Sequence, residues 1–262
     1  MTGEQAALLG LASSSEHAAE LRSRGDDPTP RGVVRAVLNA AQSEYLFKWP
    51  GHQLRVLDVC AGYGCWASEM RRLAVRQGWP VHITGVEIFE QRREHLRKWC
   101  DVHFMCDWRR AAEMHVAYSD DPAADAFDIA IGNPDFAQLL RDNAGNFVEP
   151  EQSMVGQLLR HAPAVLLLHT QQAFIKSEAG RTCYRAYPPA ASWYVPGGVK
   201  FRGSRMGADS RCYQVTLWLR DHKGPCSTYM LDDLEPHERA WVVPPGSEDP
   251  SADLPAAPGW TA

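Results

Sequence analysis

Apolar residues recur along this chain with two different periods, and the switches between them mark out its elements. Val34, Val37, Leu38, Ala41 and Tyr45 fall on one face at helical spacing. Thr29 stands where a cap belongs and Pro30 suits the first helical position, so a helix is expected there. A shorter helix is expected over residues 13–24, where Ser13 and Glu16 have capping-box spacing and Gly25 stands as a terminator. From residue 54 the texture becomes strand–helix alternation. Strands are expected at Leu54–Cys60, Val81–Val86, Val102–Met105, Phe127–Ile131 and Ala164–Leu168. Helices are expected after Gly64 as far as Arg76, over Phe89–Trp99 and over Val155–Arg160. Two further strands, Ala191–Val195 and Tyr213–Leu219, flank a glycine-rich loop. Alternation of this kind predicts an α/β fold of Rossmann-like type, with a mostly parallel seven-stranded sheet flanked by helices.

The organisation that follows is an N-terminal segment 1–27, a main domain 28–223 and a tail 224–262. The tail is acidic and carries Pro244, Pro245, Pro250, Pro255 and Pro258, a composition expected to be extended or disordered. Of the 262 residues, 45% are hydrophobic and 23% charged, enough to build a core without staples. The seven cysteines include no C-x-x-C pair, which speaks against a disulfide framework or zinc ribbon and for reduced, cytoplasmic thiols. No secretory leader is read in the first residues, and no apolar run approaches the roughly 20 residues that span a bilayer. The net charge of −5 argues mildly against a sequence-independent polyanion binder.

The candidate chemistry sits at strand ends. Val56-Leu57-Asp58-Val59-Cys60-Ala61-Gly62-Tyr63-Gly64 places two glycines just beyond the first strand. Glycines there let the backbone turn sharply and approach a ligand, and the helix that follows offers free N–H groups to an anion. A plain strand-to-helix turn would use glycines as well. Glu87 closes the second strand, where a carboxylate would meet ribose hydroxyls, and Asp107 follows the third, where one would accept from an adenine amine. Ile88 and Trp108 come directly after these acids and are positioned to sandwich an adenine ring. The dinucleotide fingerprint wants a third glycine that this loop lacks. Asp58 to Gly64 instead resembles methyltransferase motif I, D-x-x-x-G-x-G.

At the end of the fourth expected strand stands Asn133-Pro134-Asp135-Phe136. It resembles the [N/D/S]-P-P-[Y/F] motif of amino methyltransferases. The order Thr29-Pro30, glycine loop, Glu87, Asp107, Asn133 resembles that of phage-type N6-adenine DNA methyltransferases, over about residues 28–220. The resemblance implies S-adenosylmethionine as cofactor, held by Thr29, Pro30, Asp58, Cys60, Ala61, Gly62, Gly64, Glu87, Ile88, Asp107 and Trp108, with Thr29-Pro30 at its methionine end. It implies that the Asn133 side-chain oxygen and the Pro134 carbonyl accept from an exocyclic adenine amine, whose lone pair is otherwise delocalised into the ring. Phe136 would stack on the extruded base. The departure is Asp135, which stands where the family has a second proline; it would serve as a third acceptor or take the amine proton late, or it would signal a changed substrate or lost activity.

Residues 196–211 carry four cations and one anion. Lys200, Arg202, Arg205 and Arg211 are expected phosphate contacts and Phe201 a base-stacking residue, with a solvated hairpin loop as the plain alternative. Recognition falls to residues 170–212, which implies a short site, loose specificity or a homodimer. His169 reads as a satisfied core histidine, and Tyr184, Tyr187, Trp193 and Tyr194 as core or rim packing. The leading expectation is methylation of adenine N6 in DNA. The alternatives are adenine in RNA, a protein glutamine amide, or a non-catalytic subunit that keeps the cofactor fold.

Overall fold

The computed structural model describes residues 29–43, 52–110, 126–135, 138–142, 144–170, 174, 176–195, 199, 213–231 and 234. Strands β1 (Leu54–Val59), β2 (Val81–Glu87), β3 (Val102–Met105), β4 (Ile129–Gly132), β5 (Ala164–Thr170), β6 (Ala191–Val195), β7 (Tyr213–Leu219) and β8 (Ser227–Met230) form one sheet in the order β3-β2-β1-β4-β5-β7-β6-β8. The first five run parallel to one another, β7 runs antiparallel between β5 and β6, and β8 joins β6 in parallel.

Among the described residues the helices are α1 (Arg31–Ala41), α2 (Cys65–Gln77), the single turn α3 (Arg93–Leu96), α4 (Met154–His161) and α5 (Glu178–Ala186). Strand side chains alternate between the two faces of a sheet. Val56, Leu166, Leu168, Val215 and Leu217 therefore join α1 and α2 in one apolar layer, while Leu57, Val165, Leu167 and Trp218 join α4 in the other. Every residue of β5 is buried, as befits a central strand covered on both faces.

The Rossmann-like α/β expectation holds, but among the described residues the sheet has eight strands instead of seven. The extra one, Ser227–Met230, lies in the segment read as tail. Its burial alternates, and Tyr229 stacks on Trp193 of β6 with ring centroids 5.7 Å apart. Four residues with one aromatic anchor are too short for a periodicity to stand out. The helix expected over Phe89–Trp99 is broken into a 3-10 turn, Glu90–Arg92, and α3. Its apolar anchors are few, with Leu96 and Trp99 as the buried ones, and a helix is held mainly by its packed face. Thr29 does not cap α1. Pro30 is the N-cap residue at φ −56 and ψ 131, which leaves the Thr29 hydroxyl to accept from Trp66 Nε1 at 3.3 Å. Helix α5, which the periodicity does not predict, starts at Ser177, whose side chain accepts from the Gly180 amide. The helix expected over 13–24 lies outside the described residues, as does residue 235 onward.

Candidate active site

The parallel strands end together, and the functional side chains follow from how each strand ends. At β1, Asp58 is fully buried and its Oδ2 accepts from the Ala67 amide at 2.9 Å. It does for α2 what a capping side chain does, because the N-cap residue itself is Gly64. Its other oxygen, Oδ1, is buried without a hydrogen-bond partner. Burial pushes the Asp58 carboxyl up to about 8, with the Ala67 amide opposing the rise and Glu87 adding to it. An orphaned buried acceptor of this kind fits the ammonium group of an amino-acid ligand, which would restore the charged form.

The loop after β1 turns through three left-handed residues, Cys60 at φ 54, Gly62 at φ 58 and Gly64 at φ 77. Cys60 is a side-chain-bearing residue in a conformation that costs such residues about 1–2 kcal/mol. Its thiol is pushed well above the ordinary range, first by burial and then by Glu87, Asp107, Asp58 and Asp135 around it. The thiol is thus a protonated packing group, within electrostatic reach of acids that follow four different strands.

Glu87 ends β2 almost fully buried. Its Oε2 accepts from the Gly62 amide at 2.8 Å and its Oε1 from the Phe89 amide at 2.9 Å. Arg92 Nη1 lies 3.1 Å from the same Oε2, with its guanidinium over the rings of Tyr63 and Phe89 at 5.0 and 4.7 Å. Burial pushes Glu87 up to about 7 and Arg92 down to about 10. Burial disfavours both charges, and the Phe89, Gly62 and Ile88 amides oppose the rise at Glu87.

Asp107 follows β3 and repeats the arrangement in a more open setting. Its carboxylate takes the Arg109 amide at 2.9 Å and the Arg109 guanidinium at 3.2 Å. Arg109 also donates to the Arg141 carbonyl at 3.0 Å and covers the Trp108 ring at 4.7 Å. Trp108 is 4% exposed and belongs to the apolar layer with Val59, Val86 and Phe127, so its ring is a core side chain and not an open stacking face. Ile88 is half-buried at the rim.

The fourth strand brings the catalytic candidates to the same place. Gly132 pairs in register with Val59, and a Cβ there would stand 2.3 Å from the Val59 carbonyl oxygen. Only glycine admits that approach, and the register makes Asn133 the next residue after Gly132 as Cys60 is the next after Val59. Asn133 is half-buried, Pro134 buried and Asp135 exposed. Thr29 and Pro30, both buried, reach the site through the Trp66 contact in the first turn of α2. Phe136 and the five basic-loop residues Lys200, Phe201, Arg202, Arg205 and Arg211 lie outside the described residues.

His169 is the satisfied core histidine expected. It bonds the Thr170 carbonyl and the Thr216 hydroxyl at 2.9 Å each, and burial lowers it to about 4, so it stays neutral. Tyr184 stacks on Phe174 at 4.7 Å, as packing. Arg92 and Arg109 are the site residues that sequence reasoning missed. Their signal is a cation five and two positions after a strand-ending acid, which is easily taken for solvated charge. Among the described residues no cluster of acidic, histidine or cysteine side chains could hold a metal ion, and no helix is long and apolar enough to cross a membrane.

No protein-family model matches the chain, and no curated protein matches it in sequence. Solved structures do match in fold. A type I restriction-modification methyltransferase subunit from Streptococcus thermophilus is 14% identical with TM-score 0.53, over 76% of this chain and 46% of that one. A modification subunit of a putative type I restriction enzyme from Vibrio vulnificus YJ016 is 16% identical with TM-score 0.52, over 95% of this chain and 54% of that one. A putative class I S-adenosylmethionine-dependent methyltransferase from Listeria monocytogenes is 13% identical with TM-score 0.52, over 77% and 64%. The chain therefore spans about half the length of the two restriction-system subunits it matches. It has the class I methyltransferase fold.

Proposed function

We propose that this chain is an S-adenosylmethionine-dependent methyltransferase that modifies the exocyclic N6 amine of adenine in DNA. The observation that carries the reading is the register of Gly132 with Val59, from which Asn133 and the glycine loop each follow one residue beyond neighbouring strands. A nitrogen acceptor held at Asn133 and a cofactor held on the loop would then be neighbours, and much of the rate enhancement in such a transfer is positioning.

The donor set suits the cofactor. The orphaned Asp58 oxygen suits an ammonium, Glu87 a ribose and Asp107 an adenine amine. Bound there, the cofactor supplies an electrophilic methyl group. The protein's own part is to raise the amine's nucleophilicity. The Asn133 side-chain oxygen and the Pro134 carbonyl accept the amine hydrogens, favour a pyramidal nitrogen and stabilise the positive charge that develops on it. Asp135, exposed after β4, is suited to take the surplus proton as the charge forms. Phe136 and the basic loop would hold the extruded base and the phosphates.

The type I restriction subunits that share the fold lend the DNA reading support as analogy. The decisive assay incubates the protein with labelled S-adenosylmethionine and, separately, duplex DNA, single-stranded DNA and RNA, followed by digestion to nucleosides. N6-methyladenine in DNA that disappears in Asn133→Ala is the expected result. The mark in RNA alone reassigns the acceptor, and cofactor binding without any mark points to a protein amide or a non-catalytic subunit.

A further inference from the structure

We propose that Arg92 sets cofactor affinity by competing with the ribose for Glu87, an inference that rests on the cofactor reading above. An ionised carboxylate offers about four lone-pair positions. Glu87 already takes the amides of Gly62 and Phe89 and the Arg92 guanidinium, and the Ile88 amide also faces it. A ribose diol brings two further O–H donors, more than the carboxylate can accept in its present arrangement.

One present donor has to leave. The three amides belong to the glycine loop and the turn after β2, and moving any of them would rebuild the backbone of the site. Arg92 is the side chain among these donors, and rotating it away leaves the backbone of the site in place. Its position suits that role. The guanidinium lies between Tyr63, the middle residue of the glycine loop, and Phe89, so the two aromatic rings hold it close after it releases Glu87. Its Nη1 is also within 3.6 Å of where a Cβ on Gly62 would stand, directly over the loop that the cofactor has to approach. The side chain is 13% exposed, so it covers the carboxylate as well as neutralising it. Binding trades an arginine for a diol, and product release allows the arginine to return. Arg92 is accordingly a positioning residue that acts through Glu87.

The test is calorimetric titration with S-adenosylhomocysteine at about pH 9, above the value of about 7 to which burial pushes Glu87. Arg92→Met keeps the stem between the rings and removes every donor. It should bind about tenfold tighter than wild type, the lower end of what a charge-assisted hydrogen bond is worth. The gain should vanish for an analogue lacking both ribose hydroxyls, and in the Glu87→Gln background. Those two controls separate competition at the carboxylate from a general effect on folding, and Arg92→Ala gives an independent reading should methionine disturb the packing. Equal or weaker binding by both variants overturns the proposal, as does a gain that persists with the analogue lacking the diol. If neither wild type nor variants take up the ligand at all, the cofactor reading itself falls, and the proposal with it.

Discussion

Asp58 is neutral in the folded chain at pH values where an ordinary carboxyl is charged, and that makes its contribution to stability measurable. Its carboxyl moves from 3.8 to about 8 on folding. Below 3.8 the group is protonated in folded and unfolded chains alike and adds nothing to the balance. Above it, the unfolded chain releases a proton that the folded chain retains, so the fold loses stability as pH rises, until the folded group also ionises near 8. Four units at 1.36 kcal/mol each set a ceiling of about 5 kcal/mol, and relaxation around the charge brings the expected loss to about 2–3 kcal/mol. Asp58→Asn keeps an acceptor for the Ala67 amide and removes the titration. Its melting temperature relative to wild type should climb from about pH 4 to about pH 8 and then level off, by about 5–10 °C for a domain of this size. Because other titrating groups affect both proteins, the difference isolates Asp58. A difference that stays flat across that range refutes the reasoning. The corollary in binding is proton release at neutral pH when an ammonium-bearing ligand arrives, read from calorimetry in buffers of different ionisation enthalpy.

Two other substitutions probe the loop and the strand end. Cys60→Gly relieves the left-handed side-chain residue; net of glycine's own entropy it should stabilise by up to about 1 kcal/mol in denaturant titrations. A loss instead would mean that the thiol's packing outweighs the strain. Gly132→Ala drives a Cβ into the Val59 carbonyl, which is backbone and cannot rotate away. It should cost about 1–3 kcal/mol and weaken cofactor binding more than the stability loss alone explains, measured by denaturation beside calorimetry.

The sheet was legible in the sequence because its strands carry alternation or unbroken apolar runs between glycine and proline breaks. β3, β6 and β7 were placed to the residue, and the glycine loop and strand-end acids stood where ligand sites of open α/β sheets lie. What the sequence could not display was contact between side chains distant along the chain. Thr29 read as a cap because it precedes a helix, yet its hydroxyl serves Trp66, 37 residues away. Trp108 read as a stacking face because it follows Asp107, yet it turns into the core. Arg92 and Arg109 looked like surface charge, and only the fold puts them on the acids. Nothing in a linear pattern states how many donors a carboxylate already holds.

The strand Ser227–Met230 changes what can be removed from this protein. Its backbone pairs with Ala191–Tyr194, and the Ser227 and Leu231 amides add bonds to the Ala190 and Tyr194 carbonyls at 3.0 and 2.9 Å. A truncation after residue 223, natural to anyone who reads the remainder as a dispensable tail, would strip those partners from β6 and leave its ladder open along one side. An open, apolar ladder templates the addition of another chain. The shortened protein should therefore fail first in solubility, by self-association, while the candidate site on the first four strands remains intact.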